Sequence, residues 1–408
     1  MKAQRAILFV GAGLETRPGI QRALDMGLHV VVSDANPDAP GVAMAHDFLR
    51  ASTYDLADSV ARALAFHTTV RPLSGVLSVG TDVPMTVAAV AEALALPCIS
   101  PASARLAADK LAMKACFADQ GVPIPWFTAV SDAAQLADLV ARNGLPLVLK
   151  PVDSRGARGV LRLAASTNLG WAFDVARSHS PTGRVMLERY MDGPQVSTES
   201  LMVNGRAYTP GFSDRNYEYL DRFAPHIIEN GGDLPSHLPA EQQAAITAVV
   251  EAGALAMGIT NGVVKGDMVL HDGRPYVIEL AARLSGGYFC THEIPLNTGV
   301  DFVGAAIRQC LGEQLSPSDL APSMNQGVAQ RYIFPEPGVV RAISVPAWIA
   351  HDPNIAMCEI RTSVGAVVSQ AEHHPARAGV VIATGPDRAS AIAKAEAAVN
   401  AILIETTP

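Results

Sequence analysis

Apolar runs and helical periodicities alternate along the first hundred residues. "RAILFV" (5–10) is a continuous apolar run stopped by Gly11, the pattern of a buried parallel strand. A helix at about 17–26, the strand "LHVVVSD" (28–34), the strand-like "HDFLRA" and a helix near 55–66 follow. The strand "LSGVLSVG" (73–80) and the helix "VPMTVAAVAEALAL" complete the series. This alternation predicts an open, doubly wound, Rossmann-like α/β domain that ends near residue 105.

The pattern then changes. One helix is expected over about 103–120, stopped by Gly121, and the prolines of "GVPIPWF" exclude a helix beyond it. The strands "PLVLKP" (146–151), "GVLRLA" (159–164) and "RVMLERY" (184–190), with one helix between the last two, read as a small α+β unit. "VSTESLMV" and "GRAYTPGF" are further strands, and 213–238 is an irregular polar–aromatic stretch. A helix near 240–257, strands at 262–270 and 275–281 and a helix near 300–311 come next. "GEQLSPSDLAPSMNQG" (312–327) reads as a linker. The last part holds strands such as "VAQRYIF" and "AGVVIATG" and an alanine-rich helix at about 388–403.

Composition narrows the partners. The chain has 408 residues, 49% hydrophobic and 17% charged, with a net charge of −8. That balance argues against nucleic acid or an anionic membrane as the main partner. No apolar stretch is long enough to span a bilayer. Five cysteines, an odd number without a C-x-x-C pair, predict reduced thiols and a cytoplasmic location. The first residues read as a strand rather than a signal peptide.

Several segments carry candidate chemistry. "GAGLE" (11–15), with Asp34 ending the second strand, hints at a dinucleotide site, but Thr16 stands where the third glycine of G-x-G-x-x-G belongs. "KPVDSRGARGV" (150–160) puts Lys150 at a strand end before a loop with Ser154, Arg155, Gly156 and Gly159. Such a loop suits phosphate oxygens or is a plain glycine-rich hairpin. "VMLERYMDGPQ" ends an apolar strand at Glu188. "VVKGDMVLHDGRPYVIELAARLSGG" reads as a hairpin. A three-residue turn, His271-Asp272-Gly273, would set Asp267 against Val277 with Glu279 diagonal to it on one face, able to share a Mg²⁺ ion. A two-residue turn would separate them. Arg283 follows, a guanidinium suited to a phosphoryl group or a developing oxyanion.

Taken in order, Lys110 in "AADKLAMKACFADQGVPIPWF", Lys150, the glycine-rich loop, Glu188, Asp267, Glu279 and Arg283 resemble the ATP-grasp superfamily. The E-x-A-A-R-x-x-G form is most similar to L-amino-acid ligases. "RYIFPEPGVV…SVGAVVS…RAGVVIATG" resembles the end domain of those ligases and of biotin carboxylase. The resemblance implies a Rossmann-like domain (1–105) and an ATP-grasp domain (106–312) with a lid subdomain at about 121–192 and a central antiparallel α+β part. A C-terminal α+β domain (313–408) completes the α/β architecture. It implies ATP and Mg²⁺, with Mn²⁺ as an alternative, and small-molecule carboxylate and amine substrates joined through an acyl-phosphate.

The resemblance also implies site roles. Lys110, Lys150 and the loop 153–159 would hold phosphates, Glu188 and the backbone near Tyr190 the adenine, and Asp267 and Glu279 the metal. Arg283 would steady the intermediate, with Gly286 and Gly287 offering backbone N–H groups to it. Gln195 stands where many members have a ribose-binding Glu, and Ala281 where many have Asn. Arg215, Tyr217 and His226 are expected in the acceptor pocket. A homodimer is expected by the same likeness. A carboxylase, a phosphoribosylamine-type ligase, an NAD-linked oxidoreductase and a non-catalytic nucleotide sensor stay open as alternatives.

Overall fold

The computed structural model describes residues 4–407. Its first sheet has four parallel strands in the order Asp47–Arg50, His29–Asp34, Ala6–Val10, Leu73–Leu77. Ala6–Val10 lies in the interior of the sheet and is buried throughout, as its unbroken apolar run requires. The helices Arg17–Asp25, Leu56–Thr69 and Pro84–Ala93 alternate with these strands.

The helix expected over 103–120 is two helices, Pro101–Ala108 and Lys110–Asp119. Asp109 breaks it, with extended backbone (φ −127°, ψ 105°), and its carboxylate caps the second helix by accepting from Ala112 N. A polar side chain able to cap offers the backbone an alternative to continuing the helix. The small antiparallel sheet that follows has the order Phe127–Val130, Val185–Arg189, Leu147–Pro151, Leu161–Leu163. The strand Phe127–Val130 and the helix Ala133–Asn143 are additions to the sequence reading. The helix shows an N-cap, Asp132, whose side chain accepts from Gln135 N.

The largest sheet has eight antiparallel strands. Its order is Arg274–Ala281, Gly262–His271, Gln195–Val203, Arg206–Arg215, Gly232–Leu234, Gly327–Ile333, Gly379–Gly385 and Ile355–Ile360. The stretch 213–238 is therefore not wholly irregular, since Arg206–Arg215 runs into it and Gly232–Leu234 pairs within it. The sheet also continues across residue 313 into the last part of the chain. Helix Arg388–Ala401 packs on its strands Gly327–Ile333 and Gly379–Gly385. A three-stranded sheet, Val367–Val368, Gly338–Ser344 and Leu403–Thr407, ends the fold.

The expected linker at 312–327 is packed instead. Leu320 is buried in the main core, and Ser323 N and Gln326 N donate to the carbonyls of Thr298 and Asn297. That core joins Phe9 of the first sheet with Leu201, Phe302, Val328 and Ile382. Val79 bridges to Leu284, and Gly80 N donates to Leu284 O at 3.2 Å, so the first domain is fixed beside the hairpin's exit. All five cysteines are free thiols. Among the described residues no helix is long and apolar enough to cross a membrane.

Candidate active site

A cavity of about 790 Å³ lies where the three parts of the chain meet. Its floor is the hairpin of Gly262–His271 and Arg274–Ala281. The turn is the two residues Asp272 and Gly273, both at positive φ (49° and 74°), with His271 opposite Arg274. The three-residue turn expected from the sequence is not formed. An unbroken two-residue hairpin would set Asp267 opposite Ile278 and turn Glu279 to the other face. The ladder instead shifts by one residue: Met268 pairs with Val277 and Asp267 with Glu279. Ile278 is the extra residue of a β-bulge, and it restores both carboxylates to one face.

Two carboxylates face to face repel each other unless cations compensate. Lys265 and Arg215 both bond Asp267, the latter at 2.7 Å, and Lys110 Nζ stands 3.2 Å from Glu279. Burial would raise the Asp267 carboxyl, but Arg215 and Lys265 outweigh it and hold it well below the usual carboxylate range. Lys110 also donates to Ser154 O at 3.0 Å, which ties the floor to the glycine-rich loop.

Lys150, at the end of Leu147–Pro151, lies within a buried cluster. Glu188 accepts from Lys150 with one oxygen and stands 3.0 Å from Lys114 Nζ with the other. All three side chains are no more than 4% exposed. Burial opposes the charge of Glu188, but the two ammonium groups hold its carboxyl below its ordinary range. Burial pulls Lys114 down to about 8 against the attraction of Glu188. Glu188 thus buttresses Lys150, and it also lines the cavity. Lys114 escaped the sequence reading because a lysine inside a helix normally points to solvent.

The loop after Lys150 is clasped between the other two parts of the chain. Asp153 accepts from Ser180 and Thr182. The Arg155 guanidinium lies 4.6 Å above the Tyr54 ring and 3.9 Å from Asp82, and Gly156 O accepts from His374 N at 3.0 Å. Ser154, Arg155 and Gly156 line the cavity. Gly159 does not; it packs on His179, where a Cβ would come within 2.9 Å of that side chain.

Arg283 Nε stands 3.4 Å from Asp82, and its Nη1 donates to Leu284 O. The buried Nε has no hydrogen-bond partner. Gly287 corrects an expectation: its N–H is already taken, donating to Glu15 Oε2 at 2.9 Å. Gly286 is required there, because a Cβ would fall 2.5 Å from the same oxygen. Glu15 is held in turn by Arg361 at 3.3 Å. Neither residue carries a local signal, since they come from opposite ends of the chain.

Arg215 and Tyr217 line the cavity, with Arg215 clamped by Glu229 as well as Asp267. His226 lies outside it. It bridges to Leu161 of the small sheet and meets the Trp171 ring edge-on at 6.3 Å. Tyr190 and Gln195 line the cavity near Lys150 and Glu188, with Arg162 over the Tyr190 ring at 4.7 Å. The carboxylate of Asp34 accepts from Ala12 N in the "GAGLE" loop and from Asn36 N in its own.

The donor chemistry fits a nucleoside triphosphate with a hard cation. Lys110, Lys150, Arg155 and Arg158 supply positive charge in the cavity, and Asp267 and Glu279 supply oxygen ligands beside it. Among the described residues no group of three or more His, Cys, Asp or Glu side chains forms a closed metal cage. The pair Asp267 and Glu279 suits Mg²⁺, which is commonly bound through one or two carboxylates plus substrate phosphates and water.

Residues 107–287 match the ATP-grasp domain family, and residues 331–407 match the L-amino acid ligase C-terminal domain 2. An uncharacterised protein of Sinorhizobium fredii is 27% identical over 336 residues, covering 81% of this chain and 68% of that one. A D-alanine–D-alanine ligase of Aromatoleum aromaticum is 30% identical over 180 residues, covering 43% of this chain. The match spans 56% of that ligase's length. The crystal structure of an L-amino acid ligase from Bacillus licheniformis superposes over 100% of both chains with a TM-score of 0.83 at 20% identity, a likeness of fold.

Proposed function

This chain belongs to the ATP-grasp superfamily and ends in the C-terminal domain of L-amino acid ligases, and on that premise we propose that it is an ATP-dependent carboxylate–amine ligase. One observation carries the reading: Asp267 faces Glu279 on the floor of a cavity that Lys110, Lys150, Arg155 and Arg158 also line. That is an arrangement for holding a metal-bound triphosphate beside a second substrate.

A carboxylate oxygen of one substrate attacks the γ-phosphorus of ATP, and the bond to ADP breaks. The amine of the second substrate attacks the acyl carbon, loses a proton, and phosphate leaves. Free carboxylates do not react this way at neutral pH because oxide is a poor leaving group. Lys150 and Lys110 neutralise the phosphates, with Glu188 and Lys114 holding Lys150 in place. The loop 153–158 covers them and excludes water. Asp267 and Glu279 would hold Mg²⁺ or Mn²⁺, which would supply charge neutralisation at the transferring phosphoryl group. Arg283 steadies the developing oxyanion. Tyr190 and Gln195 flank the nucleoside, and Arg215 and Tyr217 border the acceptor side.

The substrates are small carboxylates and amines, with amino acids the foremost candidates, and the setting is cytoplasmic. A homodimer accords with the apolar Val364 and Val367, 63% and 78% exposed, beside and on the C-terminal three-stranded sheet. Light scattering at micromolar concentration tests it; a monomer mass would refute it. The function is tested by screening pairs of amino acids and small acids for ADP release and for a product mass equal to their sum less water. ATP turnover that no pair stimulates would contradict the reading.

A further inference from the structure

The floor of the cavity carries a charge that the proposed chemistry has not used. Lys265 lies two residues before Asp267 on the same strand, so both side chains emerge on the same face. Its cross-strand neighbours are Ala281 on one side and Glu199 on the other. Its ammonium bonds Asp267 Oδ1, the oxygen that Arg215 Nη1 also reaches at 2.7 Å. The Lys265 side chain is 16% exposed and lines the cavity.

These positions limit how many divalent cations the floor can take. Phosphoryl-transfer sites with two metals set them about 3.5–4 Å apart on shared oxygen ligands. Here the hairpin floor offers Asp267 and Glu279, and Asp267 already bonds two cations, Lys265 and Arg215. Ala281, beside Lys265, adds only a methyl group. Asp267, Glu279 and Glu229 carry three negative charges against the three positive charges of Lys110, Lys265 and Arg215. One divalent ion arriving with a triphosphate brings its own counter-charge. A second would sit against the Lys265 ammonium at close range.

We propose that Lys265 stands in the place of a second metal ion, so that the site works with a single divalent cation per bound nucleotide. The proposal rests on the ligase reading above. The ammonium gives the phosphates the positive charge a second ion would give, and Asp267 keeps it in place. Its cross-strand neighbour Glu199, wholly buried, has Oε2 without a hydrogen-bond partner. Movement of Lys265 to Glu199 would free Asp267 for a second ion, and this is the competing outcome.

The test counts Mn²⁺ by electron paramagnetic resonance on the full chain, bound to one equivalent of a non-hydrolysable ATP analogue, with cooperative melting as a check on folding. The wild type should bind one Mn²⁺ per chain. Lys265→Met should bind two, with the exchange-coupled spectrum of paired ions, and Lys265→Arg one. Two Mn²⁺ in the wild type would overturn the proposal and leave the ligase reading standing. So would one Mn²⁺ in a folded Lys265→Met. A folded chain that binds no analogue would overturn the ligase reading and the proposal with it.

Discussion

Asp267 stands directly opposite Glu279 in its hairpin because Ile278 is an extra residue in the returning strand. The two-residue turn and the bulge each move Glu279 by one side-chain reversal, and together they cancel. Like charges in this position are a cost to the sheet, and Lys265, Arg215 and Lys110 offset it. Cost and compensation concentrated on one face of an otherwise apolar hairpin mark a site rather than a surface ornament.

Glu188 should matter to stability before it matters to substrate. Its carboxylate joins two lysines, and all three groups are buried. Glu188→Ala leaves both ammonium groups without their counter-charge. Breaking such a buried pair costs about 3–5 kcal/mol, which urea denaturation would read as a lowered midpoint. A midpoint unchanged from wild type would mean that Lys114 and Lys150 do not depend on Glu188.

Glu199 predicts a pH dependence of stability. It is fully buried and accepts from Ser285 N, and burial pushes its carboxyl up to about 7. The folded state therefore holds a proton between about 4.5 and 7 that the unfolded chain has released. Stability falls as pH rises through that window and stays lowered above it. At about 1.4 kcal/mol per pH unit, the contribution is of order 3 kcal/mol. Glu199→Gln cannot ionise, so it should flatten this slope and melt above the wild type at pH 8. Parallel melting curves for the two proteins from pH 5 to pH 8 would refute the assignment.

Tyr217 and His226 separate the pocket from its surroundings. Tyr217 lines the cavity beside Arg215, and its ring lies 5.3 Å from that guanidinium. Tyr217→Ala should raise the KM of the acceptor substrate by about tenfold or more while the ATP KM changes little. His226 faces the small sheet, so His226→Ala should leave both constants near wild type. Equal effects of the two variants on acceptor KM would mean that the pocket has been drawn in the wrong place.

The local motifs were the legible part of this site. Lys150, Glu188 and Glu279 each end or nearly end an apolar strand, and Arg283 and the glycines follow within a few residues. The first sheet was legible because its apolar runs alternate with helical periodicity. The hairpin register was not, because Asp272-Gly273 allows more than one turn and a bulge leaves no mark in an apolar pair such as Val277-Ile278. Glu15, Asp82 and Arg361 were hidden for a different reason. They meet Gly287 and Arg283 only after three parts of the chain have packed. His226 misled because a histidine in a polar–aromatic stretch resembles a ligand-binding side chain, whereas here it supports a domain contact.

The central claim is that Glu279 and Arg283 serve phosphoryl transfer to a carboxylate. The most direct measurement is Mg²⁺-dependent ADP release at saturating ATP and substrates for wild type, Glu279→Gln and Arg283→Lys, with thermal melts confirming that each variant folds. Glu279→Gln is nearly isosteric but removes a charged oxygen ligand, and should lose at least about a hundredfold in rate. Arg283→Lys keeps the charge without the planar fork, and should lose about ten- to a hundredfold. Substrate-stimulated ADP release in the wild type, with both losses in folded variants, is the result this account predicts. Near wild-type rates in both variants would contradict it and reduce "ELAARLSGG" to a salt bridge and a turn.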